Sequence, residues 1–305
     1  MDKGGVAAFL ILTLGGSYAA YWLFTTAGGL TPGGVSLQHM AAFTAILFIP
    51  ALAALIVSAL RGDGAFAAVQ LWPVPQGGAW LAILGFPLVF AALHAMGAGI
   101  LGGGVDFAAA ALMDALPTAE EAGLETLPPP GFFLSVGLFL SAVLGATLFA
   151  AMFVGQELGW RAYLLPQLMA LGRSRAYALL GAAWAVWLAP LAILGFFGGE
   201  QHPALAVAGL VLAGLGLNAI LNEIWLRSRH AGLTALWMGC FAGQAMGIWP
   251  YLFPDAELPW QGPFGLTGAL CWAALAALLW KSAILDRLLP QAPAENPGAG
   301  EPAGG

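Results

Sequence analysis

Apolar runs long enough to cross a bilayer recur along the whole chain, and no other feature of the sequence limits its fold so strongly. Eight can be read, at 6–27, 37–60, 79–101, 131–153, 176–197, 203–225, 231–249 and 264–285. A spanning helix needs about twenty such residues. The runs are too long and too continuous for barrel strands, so the expected fold class is all-α, a polytopic membrane protein of about eight transmembrane helices. Composition agrees, since 60% of the 305 residues are hydrophobic and only 8% are charged, against about a quarter charged in an ordinary globular chain. No fold in water could hide that much apolar surface. A soluble enzyme, a nucleic-acid binder and a disulfide-stapled secreted domain are therefore excluded. The net charge of −6 also argues against a polyanionic partner. Cys240 and Cys271 both lie in apolar runs and carry no signal about redox compartment.

Charge placement tests the count of spans, because cytoplasmic loops carry an excess of Lys and Arg. With the N-terminus inside, all nine basic residues fall on one side: Lys3, Arg61, Arg161, Arg173, Arg175, Arg227, Arg229, Lys281 and Arg287. The opposite loops hold only acids: Asp106, Asp114, Glu120, Glu121 and Glu125, then Glu200, then Asp255 and Glu257. A wrong count would scramble this sorting, so both termini are expected on the cytoplasmic side of the cell (cytoplasmic or inner) membrane. The first run follows Lys3 but is too long for a signal peptide and is read as a retained helix. Pro50 and Pro87 are tolerable kinks inside spans.

Residues 1–290 read as one transmembrane domain, and the Pro-, Ala-, Gly- and Glu-rich tail 291–305 as disordered. In the external loop 102–130 a short interfacial helix is expected at 107–116, and Pro128-Pro129-Pro130 ends the loop. The stretch 62–78, with Phe66, Leu71 and Trp72, is expected to lie along the cytoplasmic surface.

Polar groups at membrane depth are costly, which makes each a functional candidate. Three places qualify. Glu157 and Arg161, at the end of span four, are four apart and share a helix face, as an interfacial salt bridge also would. Asn218 and Asn222 share a face in span six with Glu223 beside them, a spacing equally suited to hydrogen bonds between helices. Cys240 and Gln244 are four apart in span seven, where a thiol ordinarily packs as a small hydrophobe. The histidines His39, His94, His202 and His230 are scattered, with no pair at ligand spacing and no HExxH. The chain has no P-loop and no GxSxG elbow.

Gln156-Glu-Leu-Gly-Trp-Arg-Ala-Tyr-Leu-Leu-Pro-Gln-Leu168 resembles the first motif, E-E-L-G-W-R-G-Y-L-L-P-R-L, of the CPBP family, the CAAX-processing (type II prenyl endopeptidase) and bacteriocin-processing intramembrane proteases. Trp184-Ala-Val-Trp-Leu-Ala-Pro-Leu191 resembles its second motif, W-G-L-W-H-L-P-L, and the stretch from Trp225 to Gln244 its third, which ends in H-x-x-x-N. Phe48-Ile-Pro-Ala-Leu-Ala-Ala-Leu55 is similar to a span-two pattern of the same family. The resemblance implies a CPBP-like core at about 131–250, with eight helices and an endopeptidase site inside the membrane. Position by position, Glu157 and Arg161 match. Gln156 stands at the glutamate thought to activate water, Leu188 at the second-motif histidine, Cys240 at the third-motif histidine and Gln244 at its asparagine. A one-residue shift would instead place Gly239 and Gly243 at the last two.

An amide cannot take the proton that the first glutamate would, and hydrolysis needs both a base and oxyanion donors. Glu157 is a poor replacement, because successive helical residues point about 100° apart and it would face another wall. No histidine is placed to activate Cys240. The expectation is a weak or inactive homologue that binds a hydrophobic or prenylated peptide, or another membrane protein, within the bilayer. The alternatives are an active endopeptidase with a site rearranged around Glu157, with Cys240 as a second group, and a transporter-like module. No cofactor and no nucleic acid is expected, and a divalent metal is left open.

Overall fold

A computed structural model of the chain describes residues 2–31, 36–62, 69, 71, 78–100, 105–197, 200–254, 256, 258–281 and 283–289. Among these residues the chain is helical, with no strand. The long helices are α1 Lys3–Thr26, α2 Leu37–Arg61, α3 Gly78–Ile100, α5 Pro130–Met169, α6 Arg173–Ile193, α7 Pro203–Ser228, α8 Ala231–Met246 and α11 Leu266–Lys281. Short ones are α4 Ala110–Asp114, α9 Trp249–Leu252, α10 Leu258–Gln261 and α12 Ile284–Leu288. Five of them, α1, α2, α5, α6 and α7, are long and apolar enough to cross a membrane. Shorter apolar stretches, Ile83–Gly97 and Leu266–Lys281, lie in α3 and α11. The protein is thus an all-helical membrane protein whose outer surface is suited to lipid, with side chains such as Ile11, Trp22, Phe139 and Leu270 exposed.

Local chemistry sets the helix ends. The Ser36 hydroxyl caps α2 by accepting the His39 backbone N–H at 3.1 Å, and Gly62 closes the helix at φ 69°, a conformation that glycine adopts without strain. Pro130 occupies the first turn of α5, where its missing N–H costs nothing. His230 caps α8, its Nδ1 accepting the Leu233 N–H at 3.0 Å.

Two sequence expectations shift. The external interfacial helix shrinks to the five residues Ala110–Asp114, with the Asp106 N–H bonded to the Leu252 carbonyl at 2.9 Å. Span four does not stop at Phe153. α5 continues unbroken to Met169 for 40 residues, roughly 60 Å at 1.5 Å per residue and about twice the hydrocarbon thickness. The Glu157–Arg161 segment therefore lies inside a helix and not at its end. It can do so because the two charges neutralise each other and face inward. Most of 62–78 and all of 291–305 lie outside the described residues.

Close packing around α5 relies on residues without side chains. A Cβ on Gly155 would lie 2.6 Å from Phe48 Cα, and one on Gly159 would lie 2.7 Å from the Pro50 carbonyl oxygen, so α2 crosses α5 backbone to backbone. On the other side α8 does the same: a Cβ on Gly239 would meet Ala150 Cα at 2.7 Å, and one on Gly243 would meet Gly145 Cα at 2.9 Å. Small residues at such spacing let helices approach closely where lipid offers no hydrophobic drive to associate. Pro50 is accommodated because Gly159 opposes it. α7 packs most extensively on α6 and, after it, on α11. Phe90, Trp237, Phe241, Trp249 and Trp272 fill the space between α3, α8 and α11, with Phe90 and Trp272 stacked at 3.7 Å.

Charged groups gather at one end of this bundle. Asp2 pairs with Arg61 at 2.5 Å and its N–H bonds Gln167 Oε1 at 3.3 Å, joining the start of α1 to the ends of α2 and α5. Only three residues separate α5 from α6, so the first residue of α6, Arg173, lies at this same end with Glu223 of α7, to which it pairs, and with Asp286 of α12, joined to Glu223 through Arg227.

Candidate functional site

Within α5, Ala150–Glu157 is α-helical and is flanked by π-helical turns at Gly145–Phe149 and Leu158–Leu164. Such bulges are frequent at functional sites, because the extra residue per turn re-aims side chains. Here the second turn carries Arg161. Glu157 and Arg161 are both 0% exposed and pair at 3.1 Å through Oε1 and Nη1. The Gln156 amide donates to the same Oε1 at 2.9 Å. Arg161 Nη2 donates to Asn218 Oδ1 on α7, and the Asn218 amide is anchored in turn on the Gly214 carbonyl at 2.7 Å. From α8, the Thr234 side chain approaches the Glu157 carboxylate. Trp160 packs edge-on against Phe9 and lies 5.6 Å from Trp187, whose indole N–H bonds the Ser17 hydroxyl at 2.7 Å.

The expectation that Gln156 and Glu157 face different walls is corrected. Their backbone directions differ, but both side chains are long enough to turn toward each other, and the guanidinium draws the carboxylate and its neighbour into one group. The network is not saturated. Gln156 Oε1, Glu157 Oε2 and Arg161 Nε are buried with no hydrogen-bond partner among the described residues. Unpaired polar atoms in an apolar interior are costly, so this group has capacity to bind.

The other candidates lie elsewhere. Leu188 is buried on α6, where it can neither donate nor accept a hydrogen bond. The Cys240 thiol points to the Ala142 carbonyl at 3.9 Å, and a Cβ on Gly145 would lie 2.7 Å from Cys240 Cα. Gly145, beside Cys240, is twelve residues before Glu157 on α5, and Thr234, which approaches Glu157, is six residues before Cys240 on α8, so Cys240 and Glu157 are roughly 9–18 Å apart along the helices. Direct proton transfer between them is impossible at that distance. Gln244 lies a turn farther along α8, buried, with Oε1 unpartnered. Gly239 and Gly243 face the α5 backbone, where no side chain fits.

Sequence spacing grouped Asn218, Asn222 and Glu223, and the structure divides them. Asn218 joins Arg161, while Glu223, turned about 100° from Asn222, joins α6. Its Oε1 accepts the Tyr177 hydroxyl at 2.6 Å, and its Oε2 pairs with Arg173 and Arg227. Arg227 Nε also reaches Asp286 on α12 at 2.7 Å. Neither Tyr177 nor Thr234 was singled out from sequence, since neither has a charge or a spacing that marks it.

The histidines stay apart. His39 receives the Thr31 N–H at 3.4 Å and stacks on Phe196, His94 lies among Phe90, Trp249 and Phe253, and His202 precedes α7. Among the described residues no three His, Cys, Asp or Glu side chains are grouped as metal ligands. Around Glu157 the donor set does not suit a divalent cation, since the single carboxylate already faces a guanidinium. No protein-family model and no curated protein matches this chain.

Proposed function

We propose that the chain is a multi-pass cell-membrane protein of about eight transmembrane helices, with both termini cytoplasmic, built on the CPBP plan and without effective peptidase activity. In this reading it holds a hydrophobic or lipid-modified peptide, or a partner membrane protein, inside the bilayer. The observation that carries it is the state of Glu157: its Oε1 is occupied by Arg161 and by the Gln156 amide, so the position is arranged as an ion-paired clamp. The collection of Asp2, Arg61, Arg173 and Arg227 at one end of the bundle supports the topology. A reporter fused after residue 290 is then expected to read cytoplasmic, and one inserted near residue 120 external.

A second reading, an active endopeptidase, is favoured by the unpartnered Glu157 Oε2, which has a free lone pair for a water. One experiment decides. The purified protein is incubated in detergent with hydrophobic and prenylated peptides carrying photo-crosslinkers, and mass spectrometry reads new termini and adducts. We expect adducts without new termini. Cleavage that disappears in Glu157→Gln would establish the second reading, and the absence of both adducts and cleavage would overturn both.

A further inference from the structure

We infer that the end of the bundle formed by α6, α7, α11 and α12 binds the headgroup phosphate of an anionic phospholipid. This site is separate from the Glu157 group and does not depend on how that group works. Glu223, 3% exposed, acts as its post: it receives Tyr177 at 2.6 Å and holds Arg173 and Arg227 in place. Arg173 remains 43% exposed, with its guanidinium carbon 4.9 Å from the Trp280 ring centre and 5.8 Å from that of Tyr177. Lys281 and Arg287, next in chain to Trp280 and Asp286, are exposed and have no carboxylate partner among the described residues. These segments carry four cations, Arg173, Arg227, Lys281 and Arg287, against two carboxylates, Glu223 and Asp286, which leaves two positive charges in excess.

The surroundings select a lipid over a soluble anion. Trp280 and Leu278, both about half exposed on α11, present apolar surface directly beside the cations. That combination of basic side chains, an interfacial tryptophan and a lipid-facing helix matches a phosphate attached to acyl chains.

The test uses the full chain in detergent, with phosphatidylglycerol or phosphatidylcholine of identical acyl chains, and native mass spectrometry to measure retained lipid. Phosphatidylglycerol should be retained at least tenfold more strongly. The double variant Lys281→Gln/Arg287→Gln should weaken that retention roughly tenfold to thirtyfold without lowering the melting temperature, because neither side chain holds another element. Arg173→Gln, which leaves Arg227 on Glu223, provides a second variant with the same expected direction. Equal retention of the two lipids, or retention unchanged in both variants, would overturn the proposal. Displacement of the lipid by millimolar inorganic phosphate would overturn the assignment to a lipid.

Discussion

Glu157 and Glu223 are the same side chain, each paired with an arginine four residues on in its own helix, and they meet opposite conditions. Glu223 stands at the end of the bundle with both oxygens engaged, Oε1 by Tyr177 and Oε2 by Arg173 and Arg227. Glu157 is sealed from solvent, has one arginine, and leaves Oε2 without a hydrogen-bond partner among the described residues, with only the Thr234 side chain approaching the carboxylate from α8. A buried charge whose partners are complete is structure, whereas one whose partners are incomplete is capacity to bind bought with stability. The difference also predicts how each group responds to perturbation.

The largest effect is expected from Arg161→Ala, which strands Glu157 in an apolar interior. It should lower stability by about 3–5 kcal/mol, read as a shift of the thermal melt in detergent. Replacing the pair together, Glu157→Met with Arg161→Met, should recover most of that loss, because two apolar side chains carry no desolvation cost. A wild-type melt for Arg161→Ala alone would break the contrast between the two carboxylates. Glu223→Gln comes next, at about 1–2 kcal/mol, since Arg173 and Arg227 at the edge can rehydrate. Salt should separate the two groups further. From 50 mM to 1 M NaCl, where the screening length falls from more than 10 Å to about 3 Å, the Glu223→Gln increment should shrink while the Arg161→Ala increment stays constant.

The smallest effect lies in the external loop. The Thr118 backbone N–H, at 2.8 Å, and then its hydroxyl hold the Glu121 carboxyl below the usual carboxylate range. A depressed folded-state value contributes local order that is present above the unfolded carboxylate range and is lost as pH falls through the depressed value. Thr118→Ala should move the Glu121 titration back upward, as an NMR titration would show.

Membrane residence and helical class were legible because apolar run length and the scarcity of charge are local properties of the chain. The ion pair of Glu157 with Arg161 was legible for the same reason, as a four-residue spacing. Its completion was not. Asn218 lies 57 residues beyond Arg161 on another helix, and its spacing suggested company with Asn222 and Glu223, although the five residues from Asn218 to Glu223 turn the two about 140° apart. The length of α5 was also hidden, because a charged pair inside an apolar run resembles a boundary until its neutralising geometry is known. The distance between Cys240 and Glu157 required the register of α8 on α5, which is set by Gly239 and Gly243 against Gly145 and Ala150. No periodicity in the sequence encodes that register.

Those backbone contacts bear on how such a chain can change over generations. The crossings of α5 with α2 and α8 are specified by Gly155, Gly159, Gly239 and Gly243, positions that contribute nothing chemical. A mutation adding a single methyl group there would push two backbones apart. The hydrogen-bonding groups of Gln156, Glu157, Arg161 and Asn218 are carried by other positions than these glycines. The residues that set the helix crossings and those that form the buried polar group are therefore different, so a change in one set need not be a change in the other.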